Sequence, residues 1–320
     1  MIKRLFAVLV LLTLVATSSI GFAEENNKAA VKPQKKISIN LASNLLTFYI
    51  DGKLVYEFPV ALGTPATPTP AGKFKIIEKE VNPSWMDPKD KEQKVVPSGP
   101  MNPLGYRWMC FYGEYGIHGT NAPGSIGSYA SNGCIRLYEE DVEQLFEKVE
   151  IGTPVELYYQ RVVVEKDKNG IVSCSIYPDA YGVQPLDIED VNKILYKEGL
   201  AAFISNDDIA DKLYSYDGTP IYVGKVSPVE VNNKWISGKL IEQEGRIYLP
   251  ALPLAGVLKL KLDWNRETEV LSTKYASVPG MSQKDVLFVD AENVAALFHL
   301  KGGFDDKKVY VLHSFEEDKK

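Results

Sequence analysis

Cys134 lies in the run Ser131-Asn132-Gly133-Cys134-Ile135-Arg136-Leu137, and His118 stands sixteen residues before it in Ile117-His118-Gly119-Thr120-Asn121. A thiol attacks only as its thiolate, and a free cysteine has a pKa of about 8.5. An imidazole can take that proton, so Cys134 and His118 form a candidate nucleophile and base. Gly133 has no side chain, which lets a substrate approach a thiol carried on a sharp turn. Arg136 offers a fixed fork of donors for a carboxylate. Ser131 and Asn132 can add hydrogen bonds, although turn capping explains them nearly as well. The N–H groups of Gly133 and Cys134 can form an oxyanion hole, where one donor is worth roughly 3–4 kcal/mol. His118 then needs an orienting partner on its second nitrogen. No acid sits at an obvious spacing, so a backbone carbonyl at or near Gly133 is the expected partner.

The ordinary role of a free cysteine is packing as a small hydrophobe. Cys110, in Tyr106-Arg107-Trp108-Met109-Cys110-Phe111-Tyr112, and Cys174, in Ile171-Val172-Ser173-Cys174-Ser175-Ile176, fit that role on strands. Three cysteines are an odd set, so at least one thiol stays free or pairs with another molecule. A Cys110–Cys174 bridge remains open at this point. A metal site built on His118 and Cys134 lacks a C-x-x-C or a nearby third donor, so neither metal nor cofactor is expected. His299 and His313 are isolated and read as surface or packing residues.

The first 23 residues have the pattern of an export signal. Lys3 and Arg4 precede an apolar run from Leu5 to Val15, and Gly21-Phe22-Ala23 supplies a cleavage site. The apolar run is shorter than the roughly 20 residues that span a bilayer, although retention as an anchor stays open. No later segment is apolar enough to cross a membrane. The mature chain is expected outside the cytoplasm, in the cell wall or envelope. Losing Lys3 and Arg4 with the signal takes the formal net charge from −6 to −8. That balance favours solubility, and no dense Lys/Arg stripe argues for nucleic acid.

About 300 mature residues exceed one ordinary core. Residues 24–36 read as a polar linker. From 37 to 160 the texture is mostly β, with a hairpin at Asp51-Gly52, a helix from Glu139 to Val149 and a closing strand to Tyr159. Residues 78–105 show little regular pattern and several prolines and glycines, and a loop of that length is often functional. We expect a lid over a groove there. Residues 161–225 read as a connecting α+β segment, with a hairpin turned at Lys168-Asn169-Gly170, a helix over 187–198 and a short one over 207–213. Residues 226–315 read as a second small α+β unit without clustered catalytic residues.

The reactive stretch strongly resembles the YkuD family of L,D-transpeptidases. His118-Gly119-Thr120 and Ser131-Asn132-Gly133-Cys134-Ile135-Arg136-Leu137 carry the resemblance, with Asn121-Ala122-Pro123, Thr69-Pro70-Ala71-Gly72 and Asn102-Pro103-Leu104-Gly105. It covers about 37–160. Many members have histidine where this chain has Asn132, which excludes a second histidine there. The resemblance implies a β-sandwich-like catalytic domain that binds peptidoglycan stem peptides. Cys134 would attack a stem tetrapeptide at its diamino acid, release D-alanine and pass the thioester to an amine of another stem. Water as acceptor would give L,D-carboxypeptidase activity. The expected site is Cys134, His118 and Gly133 for catalysis, with Arg136, Ser131, Asn132 and Gly119 for substrate. Acylation of the cysteine by carbapenems is a further family-level expectation. Residues 226–312 resemble, more weakly, the copper amine oxidase N-terminal-like domain, through Val231-Asn232-Asn233-Lys234, Gly245-Arg246-Ile247-Tyr248-Leu249-Pro250 and Leu262-Asp263-Trp264. No copper site is visible in it, and it implies an accessory wall or envelope contact. The alternative for the whole chain is a catalytically inert peptidoglycan-binding envelope protein.

Overall fold

The structure, a computed structural model, describes residues 32–87, 92, 94–215 and 217–315. The export signal expected at 1–23 lies outside the described residues. Among those described, no helix is long and apolar enough to cross a membrane.

Residues 35–158 build two sheets around one core. The first sheet has the order β3-β2-β1-β13-β5, from β1 (Lys35–Asn40), β2 (Leu45–Ile50), β3 (Lys53–Pro59), β5 (Gly72–Lys75) and β13 (Pro154–Tyr158). Strand β1 includes Lys35 and Lys36, which composition assigns to the linker. Their ammonium groups reach Glu150 and Glu156. Asp51 and Gly52 join β2 to β3 with φ of 51° and 74°, the left-handed pair a tight hairpin needs. After β3, β4 (Leu62–Gly63) pairs with β11 (Tyr129–Ser131).

The second sheet has the order β12-β10-β9-β6, from β6 (Glu78–Val81), β9 (Arg107–Tyr112), β10 (Tyr115–His118) and β12 (Ile135–Arg136). Ile37, Ile39, Leu46 and Phe48 from one sheet meet Met109, Phe111, Ile117 and Ile135 from the other in a single apolar cluster. Helix α1 (Glu139–Lys148) adds Val142, Leu145 and Phe146 to it. Its first turn carries three acids and its last turn a lysine, which suits the helix dipole.

The stretch 78–105 is more regular than its sequence suggests. Strand β6 pairs with β9, and a short hairpin joins β7 (Trp85–Met86) to β8 (Val95–Val96). Three of the four β6 side chains are exposed, so no apolar alternation marks it. Asn102 is fully buried. Its amide donates to Pro83 O, and its Oδ1 accepts from the Leu104 N–H.

After β13 the chain forms one eleven-stranded sheet. Strands β14 (Val162–Lys166), β15 (Ile171–Ile176), β16 (Ile221–Val231) and β17 (Lys234–Gln243) run in sequence across it. Helices α2 (Ile188–Lys197) and α3 (Asn206–Ser215) lie between β15 and β16 in the chain. An Asp187–Asp190 capping box opens α2. One apolar cluster gathers residues from Val162 to Ile241, and a second gathers residues from Val229 to Leu312. The boundary expected at 225/226 therefore falls inside a single strand, β16, whose two ends serve different cores. All three cysteines are free, which removes the Cys110–Cys174 bridge.

Candidate active site

Strand register brings the candidate residues together. Strands β10 and β12 run parallel, with Ile117 opposite Ile135 and His118 opposite Arg136. Ile117 and Ile135 point into the core. Alternation sends their neighbours to the other face. Cys134 immediately precedes β12 and falls beside Gly116, diagonal to His118 on that face. Strand β9 extends the rows, with Cys110 opposite Gly116 and Trp108 opposite His118. The Trp108 ring lies against the imidazole at 5.5 Å between centroids. It also fills the space over Gly116, where a Cβ would meet it at 2.5 Å.

The cysteine sits at the end of a tight turn. Gly133 has φ of +116°, a conformation that L side chains avoid. A Cβ there would stand 2.4 Å from the Tyr115 ring. The missing side chain thus makes room for Tyr115, where the sequence suggested room for substrate. Ser131 is buried and closes the turn. Its hydroxyl donates to Cys134 O at 2.5 Å and accepts from the Gly133 N–H at 3.0 Å. Two expectations change here. Ser131 has its hydroxyl engaged inside the turn, away from substrate. The Gly133 N–H is engaged too, so it does not stand free as an oxyanion donor. Asn132 is exposed at the tip.

The Cys134 thiol is partly exposed. It lies 3.5 Å from Glu114 O. Burial pushes its pKa up, opposed by the Gly116 N–H and the Arg136 charge. Arg136 is half-buried and its charge partner is that thiol. Its backbone exchanges two hydrogen bonds of 2.9 Å with Ala61, which fixes β12.

His118 is 3% exposed, and burial lowers its pKa to about 4. The imidazole is therefore neutral at pH 7. Its orienting partner is the Gly119 carbonyl, 2.6 Å from Nδ1, and not a group near Gly133. A neutral ring with Nδ1–H donating to that carbonyl leaves Nε2 as the proton acceptor. Gly119 is itself buried, so the substrate contact expected of it gives way to this role.

Sequence reasoning missed the residue that fixes Gly119. The Glu139 carboxylate accepts the Thr120 N–H at 2.6 Å and the Tyr106 N–H at 3.1 Å. A Cβ on Gly119 would meet Glu139 Oε1 at 2.0 Å, and one on Gly105 would meet it at 1.8 Å. Two glycines thus cradle one carboxylate. Burial raises its pKa, against the two N–H bonds. In sequence Glu139 looks like any acid in a helix's first turn. Among the described residues, no group of three or more His, Cys, Asp or Glu could hold a metal ion.

The L,D-transpeptidase catalytic domain profile (YkuD) matches residues 34–157. "Putative L,D-transpeptidase YqjB" of Bacillus subtilis is 35% identical over 125 residues, 37% of this chain and 68% of that protein. "Probable L,D-transpeptidase YcfS" of Escherichia coli is 34% identical over 154 residues, 43% of this chain and 48% of that protein. The chain thus spans about half the length of the second relative. Among solved structures, an L,D-transpeptidase from Mycobacterium smegmatis aligns with 39% of this chain and 59% of its own, at 21% identity and a TM-score of 0.35.

Proposed function

The chain belongs to the YkuD family of L,D-transpeptidases, and on that premise we propose that it cross-links peptidoglycan through a thioester on Cys134. The donor is a stem tetrapeptide. His118 Nε2 takes the thiol proton as sulfur attacks the carbonyl of the diamino acid. The tetrahedral intermediate collapses, the C–N bond to the terminal D-alanine breaks, and the imidazolium returns its proton to the leaving amine. An amine of a second stem then attacks the thioester, restoring the thiol and giving a 3→3 cross-link. Water in place of that amine gives a trimmed stem. Arg136 pairs with a substrate carboxylate and keeps the developing thiolate in a positive field.

The observation that supports this reading most is the shared face of β10 and β12. It carries a neutral, carbonyl-held imidazole diagonal to a thiol on a turn that only glycine can make. A thiol–imidazole pair of this kind rests uncharged, because burial opposes charge on both partners.

The protein acts outside the cytoplasm after export. Residues 226–315 serve as an accessory contact to the wall or envelope. The exposed Trp235, which is 62% accessible, is a candidate contact there.

The test is mass spectrometry of products from purified protein and a disaccharide-tetrapeptide. The reading expects free D-alanine and a 3→3 dimer, with some trimmed monomer. Unchanged substrate with the wild-type protein would overturn it.

A further inference from the structure

The residues that hold Cys134 from behind are themselves held by a loop beyond the family-matched stretch. Thr69 is buried. Its Oγ1 donates to Gly133 O at 2.8 Å and accepts the Gly63 N–H at 2.9 Å. Gly63 lies so close to the turn that a Cβ on it would stand 2.9 Å from Gly133 Cα. Both Thr69 and Gly63 meet one more group. The Tyr181 hydroxyl donates to Gly63 O at 2.8 Å and accepts the Thr69 N–H at 3.3 Å.

The loop that carries Tyr181 is built to hold it there. Arg161 is 4% exposed and clamps the loop's two ends, with Nε donating to Tyr177 O at 2.7 Å and Nη1 to Gln184 O at 2.9 Å. Asp179 turns the chain by accepting from the Val183 and Gln184 N–H groups. The Tyr181 ring packs edge-on to Tyr129 at 5.3 Å and stacks on Tyr159 at 5.7 Å. A clamped loop with two defined hydrogen bonds into the turn before a nucleophile exceeds what packing alone requires.

We propose that the loop 177–184 is a latch for the nucleophile's turn, and that Tyr181 is a positioning residue that acts on Cys134 through Thr69, Gly63 and Gly133. The inference rests on the reading of Cys134 as the nucleophile. It makes the segment after the catalytic domain part of the machinery. Without the hydroxyl, Gly63 O and the Thr69 N–H, both on buried residues, lose a partner. The turn loosens and the sulfur moves relative to the Gly116 N–H and to His118.

The test compares wild type, Tyr181→Phe, Thr69→Val and the double variant in the full chain. Tyr181→Phe keeps the ring packing. One buried neutral hydrogen bond is worth up to about tenfold in rate. The latch predicts that Tyr181→Phe lowers kcat on the disaccharide-tetrapeptide about that much while KM stays within about twofold. It also predicts that the double variant is no slower than the slower single one, because both cut one chain of contacts. Alkylation of Cys134 by iodoacetamide across pH gives a readout independent of turnover. There Tyr181→Phe should move the thiol's titration upward, because the Gly116 N–H no longer meets the sulfur squarely. An unchanged alkylation profile overturns the latch, as does a wild-type kcat in Tyr181→Phe. Fully additive losses that track a lowered melting temperature overturn it as well. If wild type fails to turn over, the proposed function falls, and the alkylation profile still decides the latch.

Discussion

Residues 35–158 and residues 161–315 are both sheet-rich and both well filled, yet they use burial differently. Nine of the twelve buried polar side chains among the described residues lie between Ser38 and Thr153. Several of them lie at or beside the candidate site, including Thr69, His118, Thr120 and Ser131. The later region buries three, Arg161, Ser175 and Ser227, and otherwise packs aliphatic and aromatic side chains into two clusters. It leaves Tyr196, Tyr214, Tyr222 and Trp235 more than 60% exposed. A buried polar group is costly unless its partners are in place. The first region bears that cost repeatedly around one turn, as a preorganised site requires. The second region bears it at Arg161, to hold the loop that reaches back to the first. The contrast separates a region that fixes a few atoms from one that presents a surface.

The largest expected effect marks that division. Cys134→Ala should lower turnover of a disaccharide-tetrapeptide by at least about a thousandfold, because it removes the covalent route. Its circular dichroism should match wild type, since the thiol is only partly buried. Retained turnover would dissolve the distinction between the regions.

The next effect is a pH dependence confined to the first region. Burial holds the His118 pKa at about 4 in the folded protein, against its ordinary 6.5. Between those values the unfolded chain binds a proton that the folded one does not. The contribution is therefore intact above pH 6.5 and is lost as pH falls toward 4, for a total of roughly 3 kcal/mol. Denaturant titrations of wild type and His118→Gln should diverge by about that much over this range. Parallel curves would mean that the imidazole charges freely in the fold.

Glu139→Ala should come third. It strips the acceptor from the Thr120 and Tyr106 N–H groups, and bonds to a charged acceptor are worth about 1.5–3 kcal/mol each, less the cost of burying the carboxylate, which its removal relieves. A stability loss of about 2 kcal/mol and a fall in kcat are expected, read by chemical denaturation and steady-state rates. A kcat equal to wild type would show that Gly119 holds His118 without its carboxylate cradle. The smallest effect belongs to the second region. Trp235→Ala should change stability by less than about 0.5 kcal/mol and leave kcat on a soluble muropeptide unchanged. It should weaken sedimentation with isolated cell walls if that face makes the accessory contact.

What the sequence disclosed follows the same contrast. The candidate nucleophile and base, the hairpin at Asp51-Gly52 and helix α1 are written in local patterns, namely a short motif, a turn pair and a helical period. The sequence did not disclose what depends on contacts between distant segments. The Gly119 carbonyl is chosen as the His118 partner by a ring orientation, which no spacing encodes. Glu139 is recognisable only once Gly105 and Gly119 are known to face it from two other loops. Ser131 stood open between a substrate contact and a turn cap, and only the folded turn, where its hydroxyl is already bonded, decides for the cap. Strand β6 went unseen because three of its four side chains are exposed. The division at 225/226 missed because β16 changes cores along its length without a change in composition.

Whether Cys134 carries the acyl group is decided by intact-protein mass spectrometry after a brief reaction with a disaccharide-tetrapeptide. Wild type should gain the mass of the donor less its terminal D-alanine, digestion should place it on the peptide containing Cys134, and hydroxylamine should release it as a thioester. Release of D-alanine with no adduct on Cys134, or the same adduct in Cys134→Ala, would contradict that role for Cys134.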